Sequence, residues 1–528
     1  VFDPIIILLV LTVALREGVA GLPFGPQLQT APLAGFLVGG IVGIVALAYA
    51  FNAAAVRRFD ATGDGRMILR VYRIDLLAKV ALGAHWLVCT LWLDWVGVAQ
   101  NLVGGDLVVV DEAVAVAPVL AGLFLLYGLT YSIQTRLREA SMARWLDEGV
   151  ALSRPPGFWE HIVEAIRHRA LIILIPVLVL TASSEGVDRL FAFIERSSAW
   201  YANSEWAELI PQGVYLVIAL VVLCLMPLGL RFLWRTSRLE SGPLRDRLEA
   251  MCRDQGVRVR DILIWHTSRG MLNGALIGVL PQLRYILLTD GLLERLPGEQ
   301  LEAVMAHEIA HARRHHLPWL LGAMVAVVTI CTAGLWLLGR LLLLGIEDVE
   351  QRFFWADVVS GVSLGIALVV AFLVFGYISR RFERQADAFA AQHLSGVRFA
   401  KPIELPTDRC PVISGPATEA MSEALMTVAT VAGMPPDRFS FRHGSIASRR
   451  RAVRALACRP ALRLPIDRLV ARLKLATALL LVVAIGLTAV QIELEKRDRE
   501  AARRQAIEEW MSLPMIDQLF RPVPEATR

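Results

Sequence analysis

Long apolar runs, separated by clusters of arginine, acidic residues or proline, set the rhythm of this chain. A helix needs roughly 20 apolar residues to cross a bilayer. Runs of that kind fall at about 2–15, 31–56, 76–98, 113–133, 169–182, 209–234, 318–346, 356–379 and 473–493, of which the first and fifth are short. The pattern predicts a mainly α, polytopic membrane protein with about eight or nine spans. Two polar stretches, 236–317 and 380–467, are long enough to fold outside the bilayer. The hairpin 318–379 between them contains two spans, an even number, so both stretches emerge on one membrane face and can build a single small domain. Around them lie an N-terminal multi-span region, 1–235, a C-terminal span, 468–494, and a charged tail, 495–528.

Inside the first polar stretch the period shortens. Val259–Trp265, Ala275–Val279 and Arg284–Thr289 alternate as strands do. From Pro297 the spacing becomes helical, through Leu301, Val304, Met305 and Ile309, and Pro297 with Glu299 suits a helix start. An α+β unit is expected.

Composition agrees with the pattern. Hydrophobic residues make up 55% and charged residues 20% of the 528, below the roughly one quarter charged of a soluble domain. The formal charge of +5 is spread over alternate loops. Arg57–Arg73, Arg136–Arg169 and Arg231–Arg260 are arginine-rich, whereas Gln100–Glu112, Ser183–Glu208 and Glu347–Asp357 are acidic or neutral. That alternation is what the positive-inside rule requires, and it puts the basic loops and both polar stretches in the cytoplasm. It argues against nucleic acid as a partner. Arginine- and alanine-rich composition suits a bacterial inner membrane. The six cysteines form no CxxC pair and imply no disulfide framework. The run that follows Val1 lacks a basic leader region and reads as an anchor helix.

Candidate chemistry begins at His307-Glu308-Ile309-Ala310-His311. Residues i and i+4 of a helix lie about 40° apart on one face, so both imidazoles can reach one ion. Imidazole nitrogens suit Zn²⁺, and a catalytic site adds a third protein ligand and keeps one position open for water. Glu308 can reach that zinc-activated water without ligating the metal and is the expected general base. Glu383 and Asp387, just after the hairpin, share a helical face. Glu383 can serve as third ligand while Asp387 accepts a hydrogen bond from a ligand imidazole. His315 and His316 read as interfacial side chains. Asp75, Lys79, His85 and Asp94, in or beside an apolar run, read as lining of a water-filled chamber, with snorkelling an equal reading for Asp75, Lys79 and Asp94.

The combination of HEIAH, a two-span hairpin and Glu383-x-x-Ala386-Asp387 resembles the membrane gluzincin metallopeptidases that include HtpX and the type 1 CAAX prenyl proteases. Asn273-Gly274 with Tyr285–Leu293 resembles the strand region before that family's metal helix, and His443–Arg449 resembles its downstream segment. The likeness covers about Arg231 to Leu456. It implies a gluzincin catalytic domain at the cytoplasmic face, with one Zn²⁺ per chain held by His307, His311 and Glu383. It further implies that His443 stabilises the oxyanion, that Arg449 supports the acids, and that Asn273 and Gly274 lie on the substrate side. Gly444 stands where proline is usual and Ser448 where an acid is usual. The expected activity is that of a zinc metalloendopeptidase of the EC 3.4.24 type, acting on membrane proteins or membrane-associated peptides within the lipid bilayer. Its rivals are a CAAX-type processing protease for a lipidated or defined peptide, an inactive zinc-binding scaffold, and a transporter bundle with an attached peptidase.

Overall fold

The computed structural model describes residues 5–9, 12–13, 30–103, 109–137, 139, 157–198, 201, 207, 209–267, 272–343, 349–399, 411–431, 435–462 and 464–512. Half of the run at 2–15, nearly all of the loop between Leu137 and Gly157, and the whole tail beyond Ser512 lie outside them. The chain divides into two compact units, Val1–Trp234 and Arg235–Arg528.

The first unit is helical: α1 Thr30–Thr62, α2 Arg66–Trp92, α3 Trp95–Val103, α4 Val110–Leu137, α5 Phe158–Ser197 and α6 Leu209–Leu233. Gly63, at φ +64°, turns α1 into α2, a conformation that costs glycine little. The expected span 76–98 is displaced. Its helix starts at Arg66 and stops at Trp92, where Asp94 takes φ +54° and its carboxylate accepts the Gly97 N–H to start α3. The short run at 169–182 is the middle of the 40-residue α5, whose polar ends continue the helix beyond the apolar stretch. Leu33, Leu37, Leu82, Trp86, Val119, Leu123 and Leu126 form the buried centre. His85 is paired within this unit, its Nε2 3.1 Å from the Leu37 carbonyl, and its ring occupies the space that a side chain at Gly40 would need. Lys79 donates to Asp75 one turn earlier, at 2.9 Å. Neither a chamber nor snorkelling is needed for that pair, because each charge offsets the other.

The second unit joins a four-stranded sheet to helices. β1 is Thr236–Arg238, β2 Asp261–Trp265, β3 Gly274–Ile277 and β4 Tyr285–Thr289. Their order is β1-β2-β4-β3, with β2 and β4 parallel and both outer pairs antiparallel. β3 therefore lies at an edge. The helices are α7 Pro243–Asp254, α8 Asp290–Arg295, α9 Gly298–Arg313, α10 His316–Leu343, α11 Val349–Leu394, α12 Gly415–Val431, α13 Ile446–Arg454 and α14 Pro465–Ser512. β4 is buried at every position, and its Ile286 and Leu288 pack with Leu301, Met305 and Ile309 of α9, Phe389 of α11 and Met421 of α12. One core thus draws on both polar stretches of the sequence.

Among the described residues eight helices are long and apolar enough to cross a membrane: α1, α2, α4, α5, α6, α10, the part of α11 from Gly361, and α14. Leu47, Leu77, Leu216, Val325, Phe372 and Val482 are among the large apolar side chains on their outer faces. Apolar side chains facing outward from internally hydrogen-bonded helices suit lipid. The protein belongs to the polytopic helical class, with a small α+β unit.

Candidate metal centre

α9 carries the first half of the site. Alanine, leucine and methionine bury one side of it against the sheet and α11, which turns His307 and His311 together toward α11. Their Nε2 atoms stand 3.3 Å apart. α11 is unbroken over 46 residues and brings Glu383 to the same point, its carboxylate oxygens 3.7 Å from His307 and 3.8 Å from His311.

The donor set fits a divalent cation on two counts. Two nitrogens bound to one tetrahedral zinc at about 2.0–2.1 Å lie roughly 3.3–3.4 Å from each other, which is the observed histidine separation. Glu308, Glu383 and Asp387 also set three carboxylates against the single guanidinium of Arg449, leaving a negative surplus for a dication to offset. Burial, with the nearby charge of Glu383, pushes Glu308 up to about 7 despite the opposing influence of His307 and the Leu276 N–H.

Supporting contacts hold the donors. Asp387 Oδ1 lies 2.9 Å from His307 Nδ1, although the ring N–H is not aimed straight at it. Burial alone would lower the pKa of His307; Asp387 and Glu383 outweigh it and raise the group above its ordinary value. His311 is lowered by burial and by the charge of His307. Arg449 on α13 clasps Asp387 with two hydrogen bonds, 2.6 and 2.8 Å, and places Nη1 3.0 Å from Glu383. Burial would lower the guanidinium's pKa, but Asp387 and Glu383 more than reverse that.

His443 is half exposed, with Nδ1 3.0 Å from Glu383. Its loop is closed by reciprocal backbone bonds between Ser440 and Gly444 and is pinned to α11 by Phe441. The Phe441 ring stacks on Phe372 at 4.0 Å and fills the space over Gly376, while its carbonyl accepts from Arg380. Gly444 has φ +75°, which the ring of proline forbids; the departure from the family pattern is a different turn. Ser448 accepts a hydrogen bond from Arg384.

Gly274 opens the edge strand directly over α9. A methyl there would meet Val304 Cγ1 at 3.2 Å and Glu308 Cγ at 3.3 Å. Asn273 is exposed, and its backbone exchanges bonds with Thr289. The structure therefore gathers His307, Glu308, His311, Glu383, Asp387, His443 and Arg449 around one point, with Gly274 against Glu308; for Asn273 only the backbone pairing to β4 is seen.

His316 departs from expectation. Instead of continuing to the membrane surface, α9 ends at a corner in which His315 takes φ +54°, and α10 begins with His316 buried. Its Nδ1 lies 2.9 Å from His311 Nδ1, its Nε2 2.9 Å from Gln385 Oε1, and Gln385 donates to Asp467 at 2.6 Å. Nothing in the spacing of these residues pointed to that chain.

Residues 238–400 match the model of peptidase family M48. A protease HtpX homolog from Bacteroides fragilis (strain YCH46) is 28% identical over 166 residues, 30% of this chain and 49% of that protein. One from Aeropyrum pernix is 24% identical over 209 residues, 37% and 62% respectively. One from Listeria monocytogenes serotype 4b (strain CLIP80459) is 32% identical over 129 residues, 24% and 37%. The chain spans about half the length of the first of these relatives. The crystal structure of S. mikatae Ste24p aligns with 80% of this chain and 99% of its own at 15% identity and a TM-score of 0.42. The residues matched to the M48 model include the HEIAH motif and Glu383.

Proposed function

We propose that this chain, whose residues 238–400 carry the pattern of peptidase family M48, is a membrane-integrated zinc endopeptidase that hydrolyses peptide bonds in membrane or membrane-associated proteins. The observation that carries the reading is the convergence of His307, His311 and Glu383 at 3.3–3.8 Å beside an unligated Glu308. A structural zinc site closes with four protein ligands, whereas three ligands and an adjacent carboxylate leave room for chemistry.

When bound, the ion supplies Lewis acidity, polarising the scissile carbonyl and acidifying water. The protein does the rest. Glu308 takes the proton of the attacking water and delivers it to the departing amine; its elevated pKa suits both transfers. His443, at the open side, meets the charge that develops on the carbonyl oxygen. β3, last in the strand order, offers backbone groups to an extended substrate as an added strand.

The site lies where two spans begin and end: His311 is followed at once by α10, and Glu383 is carried by α11. That placement favours substrates held at the membrane. With the basic loops inside, the reaction faces the cytoplasm of a bacterial inner membrane. The test is Glu308→Gln in the whole chain. Zinc should stay bound near one per chain while cleavage of an unstructured membrane-tethered reporter falls by at least about 10²-fold; unchanged cleavage would reject the assigned base.

A further inference from the structure

We propose that Asp467, Gln385 and His316 form a positioning chain that leaves Nε2 of His311 free for the metal, making the C-terminal helix α14 part of the metal centre.

The argument is one of donors and acceptors. A carboxylate only accepts hydrogen bonds. Asp467, on the first turn of α14, therefore receives the Gln385 amide NH₂ at 2.6 Å. This fixes the orientation of the amide and presents its oxygen to His316 Nε2 at 2.9 Å. An amide oxygen also only accepts, so His316 carries its proton on Nε2. Its Nδ1 is then a bare lone pair, 2.9 Å from Nδ1 of His311. Two lone pairs cannot share that distance, so His311 donates from Nδ1. Its Nε2, the atom facing His307 and Glu383, is left unprotonated. Each link determines the next.

Packing makes the chain rigid. His316 is buried and stacks on Phe382, centroids 4.3 Å apart and planes 7° from parallel. Arg314 Nη2 lies 3.6 Å from Asp467 Oδ1. The two ligand histidines are thus oriented by different means. His307 has Asp387 directly beside it, whereas His311 reaches its carboxylate through two intermediates on α10 and α11. Outer partners of metal-bound histidines commonly contribute about 10–100-fold in metal affinity.

This inference rests on the zinc reading above, and its test separates the two. Zinc affinity of the whole chain in detergent would be measured by competition with a chromophoric chelator, and ligand geometry by the visible spectrum of the Co²⁺-substituted protein. His316→Phe keeps the stack on Phe382 but removes the acceptor, and should weaken zinc about 10–100-fold. Asp467→Leu lets the Gln385 amide turn over and should weaken zinc by about 10-fold and shift the Co²⁺ bands. Asp467→Asn retains an acceptor oxygen for Gln385 and should rescue both readouts to within about 2-fold. The melting temperature of each metal-free variant shows whether it folds; if His316→Phe does not, the Asp467 pair carries the test. Wild-type affinity and spectrum in Asp467→Leu would overturn the chain, and equal losses in Asp467→Leu and Asp467→Asn would overturn its acceptor logic in favour of simple charge. A wild-type protein that binds no zinc would instead overturn the reading beneath it.

Discussion

Arg449 and Asp387 form a buried two-bond clasp, 2.6 and 2.8 Å, whose third guanidinium nitrogen reaches Glu383. A residue on α13 thereby fixes two acids on α11, one the proposed metal donor and one the partner of His307. Truncating Arg449 leaves both acids buried without their counter-charge, a class of change that costs about 3–5 kcal/mol. Arg449→Met should therefore lower the unfolding temperature and weaken zinc together, as read by calorimetry and metal analysis of one preparation. A loss of activity with stability and zinc intact would contradict this role.

Gly274 supplies a second test. The β-carbon of alanine would press within 3.3 Å of Glu308 Cγ, so helix and strand must part by a few tenths of an ångström. Gly274→Val adds two further methyls. Small misplacements of catalytic groups are costly, up to about 10²-fold for 1 Å. We expect kcat/KM to fall by about 10-fold in Gly274→Ala and further in Gly274→Val, with zinc content unchanged.

The loop of His443 depends on Phe441 lying over Gly376. A β-carbon at Gly376 would approach that ring well inside van der Waals contact. Gly376→Ala should displace the loop, lowering kcat by about 10-fold or more while zinc affinity moves little. Equal losses in kcat and in zinc affinity would show that the loop supports the ligands rather than the oxyanion.

Removal of metal should destabilise the second unit selectively. At a free zinc concentration about 1,000 times the dissociation constant, binding adds roughly 4 kcal/mol. Chelation should increase amide exchange in α9 and the last turns of α11, while α1–α4 are unaffected; readdition of zinc should reverse the change.

Acid should act through Asp261. Burial would raise this carboxyl, but hydrogen bonds from Arg245, the Ile262 N–H and Arg238 outweigh burial and hold it below the ordinary range. A depressed carboxyl contributes its stability above the unfolded value, about 3.9, and loses it as pH falls through the lower folded value. The melting-temperature advantage of wild type over Asp261→Asn should be full at pH 6–7 and shrink below about pH 4. An advantage independent of pH would refute the charge account.

How much of this was legible in the sequence follows from which interactions are local. Helical spacing placed His307 with His311, and Glu383 with Asp387, on common faces because one continuous helix carries each pair. Alternation found β2, β3 and β4 to within a few residues, but β1 is three residues long and offers no period to detect. His316 was misread because a left-handed residue at His315 ends α9, and helical extrapolation cannot foresee a single backbone torsion. Gln385 and Asp467 are 82 positions apart, and no spacing rule links such residues. Asp75 and Lys79 obey the i, i+4 rule that would have paired them.

The unbroken course of α11 has one more implication. At about 1.5 Å per residue its 46 residues form a rod of roughly 69 Å, with its middle in hydrocarbon and Glu383 eleven positions from its end. Spanning helices answer changes in bilayer thickness by tilting, and a stiff rod cannot lean at one depth without swinging at another. Lipid chain length would then act on this protein as a lever acts on its load, and turnover in vesicles of short and long acyl chains would differ even for a substrate dissolved in water.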